Sequence, residues 1–353
     1  MDLLVRTLAQ IVPASAAATD AGRERLDTMT KPRGALGAVE GIAARLCGIA
    51  GHCPPPVPAP AAVAVFAGDH GVHARGVTPW PREVTAQMVA NILDGGAVVN
   101  AFARQLEVTV RVVDVGVAAT LAPRPGLVSR KVAPGTADMT VGPALTREQV
   151  VEAVEVGIEV AADLAAEGHR CLVSGDMGIA NTTAAAALVC GFTGADPVSA
   201  TGRGTGVDDE TLDRKTAAVR RALELHGPDR TDALGVLAAF GGLEHAGIAG
   251  LVLGGAAAGV PVLLDGVNGG AAALAAAALA PDVLGYCLAG HRSTEPGHGL
   301  TLAYLGLPPV LDLAMRLGEG TGALLALPTL QAAARAMHDV ATFDAAGVTD
   351  KNG

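Results

Sequence analysis

Glu319 lies in RLGEGTGALLA (316–326), a lone carboxylate between two glycines and flanked on both sides by apolar sequence. An acid in such a setting is desolvated, which raises its pKa and improves it as a general base. Three further acids sit in Gly-polar-Gly contexts: Asp69 in AGDHG, Asp176 in SGDMG and Asp265 in LDGVNGG. Gly and Asp favour strand-to-helix turns, so each fits plain turn chemistry. Three in one chain fit the rim of a shared cleft. TGRGTGVDDETLDRK (201–215) places three alternating glycines before a helix that begins near Asp208. Exposed amides in such a loop cradle an oxyanion, and Lys215, two turns into the helix, could reach back over it. The loop is not a dinucleotide fingerprint, because the third glycine would fall at Val207, and no Gly-Lys-Ser/Thr follows. No acidic pair precedes a Thr-Gly loop, as in users of phosphoribosyl diphosphate, so the expected phosphate is a monoester. NTTAAAA, from Asn181, reads as a helix start that is either an ordinary cap or an anion site. Ser293 and Thr294 in HRSTEPGH pose the same choice. Asp69, His70, His245 and His291 could assemble a metallohydrolase, but no tight ligand spacing such as HExxH occurs. No metal or cofactor is expected, although His70 could line a pocket.

These residues need a scaffold. Short apolar runs at 61–68, 108–117, 171–178, 261–266 and 283–290 alternate with helical patterns at 82–106 and 147–168. Continuous apolar strands alternating with helices predict an α/β fold, a doubly wound, mostly parallel, Rossmann-like sheet. Ligands then bind beyond the carboxyl ends of the strands. Residues 1–50 and 328–353 read as helices without strands, and a small helical domain formed by both termini is expected beside a large α/β catalytic domain over 60–327. Pro-rich HCPPPVPAPAA (52–62) is the candidate linker, and TDKNG at the end is expected to fray.

Composition narrows the partners. Aromatics are 2% of the 353 residues, so the core must pack from Ala, Val and Leu, and stacking platforms for single-stranded nucleic acid are lacking. With 25 basic against 35 acidic side chains, the net charge of −10 disfavours nucleic acid and anionic membranes. The five cysteines form no CxxC pair, and the start, MDLLVRTLAQIV, lacks a basic n-region, so a cytoplasmic protein with inert thiols is expected. Residues 246–264 are uncharged but Gly-rich and broken by Pro261, which fits a buried helix and strand rather than a membrane span.

Taken together, FAGDHGV, VTAQMVANILDGGAVVN, GDMGIANTT, TGRGTGVDDETLDRK, HRSTEPGH and RLGEGTGA, with KPRGALG and APGTADMT, resemble the nicotinate-nucleotide–dimethylbenzimidazole phosphoribosyltransferase family from about residue 25 to 345. The resemblance implies transfer of ribose 5-phosphate from nicotinate mononucleotide to 5,6-dimethylbenzimidazole, by a cofactor-free homodimer. The products would be nicotinate and α-ribazole 5′-phosphate, the lower-ligand nucleotide of cobalamin. It implies that Glu319 is the general base and that Asp176, where the family often has Glu, is a second carboxylate near the ribose or a fallback base. It also implies that Lys215 pairs the 5′-phosphate. Gly178, Asn181, Gly204, Thr205, Ser293 and Gly320 are expected in the phosphate cradle, and Gln87, Met88 and Leu317 in the pocket for the aromatic base. A metal-dependent phosphohydrolase and a non-catalytic nucleotide sensor are the competing readings.

Overall fold

The computed structural model describes residues 2–349. The expectation that TDKNG (349–353) frays therefore lies, for all but Thr349, outside the described residues.

Seven parallel strands form one sheet: β1 (Ala61–Gly68), β2 (Thr109–Gly116), β3 (Leu127–Ser129), β4 (Cys171–Met177), β5 (Val262–Leu264), β6 (Cys287–His291) and β7 (Pro309–Leu311), in the order β3-β2-β1-β4-β5-β6-β7. All eight residues of β1 are buried, because helices cover both faces of the sheet. The chain runs from β1 outward to β3, then returns to the other side of β1 and continues to β7. The crevice between the carboxyl ends of β1 and β4 is therefore the topological switch point. There Phe66 pairs with Asp176 and Ala67 with Met177.

The expected strands are present, with differences that have local causes. Edge strands β3 and β7 have three residues each and are only half-buried, so no apolar run marks them. The stretch 283–290 begins as a 3₁₀ turn, Pro281–Tyr286, which buries Val283 and Tyr286 at a spacing of three before β6 starts. The helical stretch 82–106 is two helices, Val84–Leu93 and Val98–Gln105. Gly95 takes a left-handed φ of 80° and breaks them apart. The uncharged 246–264 segment is a buried helix, Leu243–Ala257, leading into β5, and no helix among the described residues is long and apolar enough to cross a membrane. The helix packs against Arg147–Ala166 through small residues. A Cβ on Gly157 would lie 1.9 Å from the Gly247 carbonyl oxygen, and one on Gly250 would lie 2.0 Å from that of Val154.

Near the ends of the chain, Leu26, Met29, Ala43, Ala44, Cys47, Ala333 and Met337 form a second, smaller core. The first helix, Asp2–Gln10, does not join it: Leu4 belongs to the main core and its N–H donates to Glu155. Helix Thr321–Asp339 runs unbroken from the end of the Glu319 loop into the small core, so position 328 falls within a helix rather than at a boundary. The Pro-rich stretch leads into β1 and lies along this helix, where Pro55 and Pro58 carbonyls meet His338 and Gln331.

Candidate active site

At the switch point a cleft of about 270 Å³ opens over the ends of β4, β5 and β6. Its lining includes Asp176, Gly178, Asn181, Gly204, Thr205, Ser293, Met88, Leu317 and Glu319, which the sequence had scattered over more than two hundred positions.

Glu319 is buried, and its exposure is 4%. Gly318, Glu319 and Gly320 all have positive φ (90°, 61° and 88°), a conformation unfavourable for Glu that the surroundings enforce. The Glu319 N–H donates to the Asp176 carbonyl at 3.3 Å, which ties the loop to the end of β4. Its Oε2 accepts from the Val99 N–H at 3.2 Å, in the first turn of Val98–Gln105, so a helix start created by the break at Gly95 holds the carboxylate. Burial raises the pKa of Glu319 above the ordinary glutamate value; the Val99 N–H pulls against it and nearby Asp265 adds to the rise. The two flanking glycines differ: Gly318 lines the cleft beside Asp176, whereas Gly320, expected in the phosphate cradle, does not. A Cβ on Gly320 would lie 2.7 Å from Val63 Cγ2, so Gly320 is packed on the sheet behind the cleft.

The three rim acids do not share the cleft; Asp176 alone of them lines it. Its Oδ2 accepts from Asn181 Nδ2 at 2.9 Å and Asn268 Nδ2 at 2.8 Å. Burial, followed by repulsion from Asp265, pushes the Asp176 carboxyl up to about 7. Asp265 sits one layer back, accepting from Gly320 N–H at 3.2 Å and Ala323 N–H at 2.9 Å, and so pins both the Glu319 loop and the helix start after it. Asp69 faces away, accepting from Ala118 N–H at 2.7 Å.

The opposite wall gathers donors. Helix Asn181–Thr193 begins at the cleft with Ala180 at its N-cap, φ 78°, and no side-chain cap. Asn181 does not cap it as expected, because its side chain is committed to Asp176. Lys215 is nearly fully buried in helix Asp209–His226 and reaches back as its position suggested. Its Nζ donates to Gly202 O at 2.8 Å and Thr182 Oγ1 at 3.0 Å, behind the glycine loop. Burial lowers its pKa and Glu295 opposes that. Ser293 Oγ accepts from Glu295 N–H at 3.3 Å, while exposed Thr294 turns away. Gln87 is exposed on its helix and outside the lining, whereas Met88, one residue on, faces in.

Several lining residues were not among the site residues expected from the sequence. Glu295 Oε1 accepts from Gly204 N–H at 2.7 Å, and Arg316 Nη1 donates to Gly204 O at 3.1 Å. Trp80, half-exposed at the cleft, donates from Nε1 to Thr205 Oγ1 at 3.1 Å. It is the single tryptophan of the chain, which was a signal in itself.

Asp69, His70, His245 and His291 do not converge. His291 lies beside Asp265, at 3.4 Å, and Asp69 beside Arg82, at 3.7 Å. His70 and His245 meet at Glu244, fully buried, and among the described residues these three could hold a metal ion. Their N···O separations of 2.7 and 2.9 Å are hydrogen-bond distances. A metal with N and O ligands at about 2.0–2.2 Å in tetrahedral geometry spreads those ligands further apart. His70 thus faces Glu244 rather than the cleft.

A family model described as Phosphoribosyltransferase matches residues 11–348. A protein named nicotinate-nucleotide–dimethylbenzimidazole phosphoribosyltransferase in Salinispora tropica is 58% identical over 99% of this chain and all of its own length. One of the same name in Chloroflexus aggregans is 51% identical over 99% of both chains. The crystal structure of the enzyme of that name from Thermus thermophilus superposes with a TM-score of 0.91 at 47% identity, covering 95% of this chain and 99% of that one. With the cleft geometry and these matches along its whole length, the chain belongs to the nicotinate-nucleotide–dimethylbenzimidazole phosphoribosyltransferase family.

Proposed function

We propose that the protein transfers ribose 5-phosphate from nicotinate mononucleotide to 5,6-dimethylbenzimidazole, giving nicotinate and α-ribazole 5′-phosphate for the lower-ligand loop of cobalamin, with Glu319 as general base. The observation that carries this reading is the placement of Glu319. One oxygen is fixed by the Val99 amide, and the carboxylate is buried with a raised pKa in the wall of a cleft whose other wall gathers donors.

The chemistry follows from the two heterocycles. In nicotinate mononucleotide the ring nitrogen is already quaternary, so the C1′–N bond breaks with its electron pair returning to nitrogen and no proton is needed. A benzimidazole nitrogen bonds C1′ from the opposite face, which inverts β to α. The other ring N–H of the acceptor becomes acidic as that bond forms, and Glu319 takes its proton. General-base assistance of this kind is worth about 10²–10⁴ in rate. Asp176, facing the same space, is the second carboxylate on the ribose side. The 5′-phosphate lies against Gly178, the Asn181 helix start, Gly204, Thr205 and Ser293, with Lys215 supplying the cation from behind the loop. Met88, Leu317 and Trp80 form the apolar slot for the acceptor. The protein works as a homodimer in the cytoplasm, on small molecules alone.

The test is direct. Purified protein with nicotinate mononucleotide and a panel of benzimidazoles, adenine and phenols should release nicotinate and form a new nucleotide, read by mass spectrometry, with the α configuration read by NMR. Activity should survive EDTA. A protein that makes no such nucleotide, or that hydrolyses phosphate only when metal is present, contradicts the reading.

A further inference from the structure

Behind Asp176 runs a chain of buried polar side chains with no part in the transfer as described. Asn268 donates from Nδ2 to Asp176 Oδ2 at 2.8 Å, and its Oδ1 lies 3.2 Å from His245 Nε2. His245 Nδ1 accepts from Gly242 N–H at 3.1 Å and lies 2.9 Å from Glu244 Oε1, which in turn lies 2.7 Å from His70 Nε2. None of these side chains reaches solvent appreciably, and Glu244 Oε2 has no hydrogen-bond partner. A buried network of this kind is a poor way to gain stability, because apolar residues of the same volume do as well or better.

The network determines a direction. An asparagine amide can present either its oxygen or its nitrogen to a neighbour, and its partners decide which. When His245 is neutral and its Nδ1 accepts from Gly242, the ring hydrogen is on Nε2. When His245 is an imidazolium beside Glu244, Nε2 carries a hydrogen as well. In both these forms Nε2–H donates to Asn268 Oδ1 and the Asn268 nitrogen is turned towards Asp176. The neutral tautomer with its hydrogen on Nδ1 would turn the amide the other way. Burial lowers the His245 pKa, but the buried Glu244 carboxylate 2.9 Å from Nδ1 raises it and favours the charged ring over that tautomer. Asn181 donates to the same oxygen at 2.9 Å. Asp176 Oδ2 is thereby committed to the protein, and Oδ1 is left to the cleft that Asp176 lines.

We infer that His245 is a positioning residue for the transfer reaction: acting through Asn268, it fixes which oxygen of Asp176 the protein binds and which one meets the sugar. This rests on reading the cleft as a ribosyl site. Several groups bear on the titration of Asp176. Burial, Asp265 and Glu244 favour its protonated form, while His245 and Asn268 favour the ionised form. Asn181 donates to it, and Glu319 approaches from the loop above. Turning or losing the Asn268 donor removes a hydrogen bond that is stronger to the ionised form than to the protonated one.

The carboxyl C=O stretch of Asp176, isolated by difference infrared spectroscopy with Asp176→Asn as the blank, reads this without turnover. In His245→Leu its titration midpoint should rise by about one pH unit above that of the unaltered protein. In His245→Gln, whose side-chain N–H can still reach Asn268 Oδ1, the midpoint should return. In parallel, His245→Leu should lower kcat about tenfold with KM for nicotinate mononucleotide held within about twofold, and His245→Gln should recover most of the loss. A midpoint unmoved in His245→Leu overturns the inference, as does a His245→Gln protein indistinguishable from it. Should His245→Leu fail to fold, Asn268→Ala is read the same way. The infrared result stands or falls whether or not Glu319 is the base, so the two failures are distinguishable.

Discussion

The two walls of the cleft are built from the same backbone device, glycines and left-handed residues at strand and helix ends, yet they reach opposite electrostatic states. On the acid wall each carboxylate already has its donors: Val99 for Glu319, Asn181 and Asn268 for Asp176, and Gly320 and Ala323 for Asp265. On the cradle wall Lys215 is buried against two neutral oxygens, and among the described residues no carboxylate lies within 4.0 Å of its nitrogen. The helix start beside it has no side-chain cap. A buried cation with no carboxylate at ion-pair distance is costly, and Glu295, acting from further off, offsets that cost only in part. The protein has completed one wall for itself and left the other for an anion to complete, so catalysis and substrate affinity should separate under mutation.

The largest effect belongs to the acid wall. Glu319→Gln keeps the shape and can still accept from Val99, but it cannot take a proton. We expect kcat to fall by about 10²–10⁴. Binding of nicotinate mononucleotide, followed by the fluorescence of Trp80 at the cleft, should change little. A general base works only when ionised, and the pKa of Glu319 is raised. Wild-type turnover should therefore increase with pH along a limb lying above the ordinary glutamate range, and the residual activity of the variant should lack that limb. Near-normal turnover in Glu319→Gln would reduce the acid wall to scaffolding.

Lys215→Met tests the other wall. A hydrogen bond to a charged group is worth about 1.5–3 kcal/mol, or roughly 10–150-fold in binding. KM for nicotinate mononucleotide should rise by about that factor, with a smaller change in kcat. A fall in kcat alone would show that the lysine serves the reacting atoms instead, and the two walls would not be separate in function.

The same contrast explains how far the sequence could be read. The cradle was legible because its parts are local. Loop 201–206, the helix after Asp208 and Lys215 on its second turn are one continuous stretch, and the reach of Lys215 follows from helix geometry. Strand β1 was legible because burial on both faces leaves an unbroken apolar run, and β2 and β4 because apolar residues still dominate them around Arg111, Asp114, Ser174 and Asp176. The acid wall was legible only as a set of residues. Glu319 meets Val99 across 220 positions and Asp176 meets Asn268 across 92, and no spacing rule spans such distances. The Asp94-Gly95-Gly96 break falls inside the single helical pattern read at 82–106, yet it creates the amide that holds Glu319. Gln87 and Met88 are neighbours, and which of them faces the cleft depends on how the helix is rolled against the sheet. Glu295 sat in a motif already marked as polar, but its contact with Gly204 needs two loops 91 positions apart.

Scaffolding should fail by a different route from either wall. Gly320→Ala places a Cβ 2.7 Å from Val63 Cγ2 and 3.2 Å from Ser174 O at a φ of 88°. Left-handed strain and overpacking together should cost about 2–4 kcal/mol of unfolding free energy, measured by denaturant titration. Activity should fall as well, because the loop that carries Glu319 must shift. A stable Gly320→Ala protein with full activity would mean that the positive-φ run does not hold the base in place.

The smallest effect is the most specific to the acid wall, because its sign depends on pH. The Asp176 pKa is raised from 3.8 to about 7 in the folded protein. The folded state therefore holds this proton more tightly than the unfolded chain. The associated stability is fully present below about pH 4 and is lost as pH rises through 7. Asp176→Asn carries no charge and escapes that loss. Relative to the unaltered protein, it should be more stable at pH 8 than at pH 5, by about 1–3 kcal/mol in the difference. If Asp176→Asn gives the same stability difference at both pH values, the carboxyl is not forced towards its protonated form by burial and its acidic neighbours. The acid wall would then be no more charge-strained than the cradle.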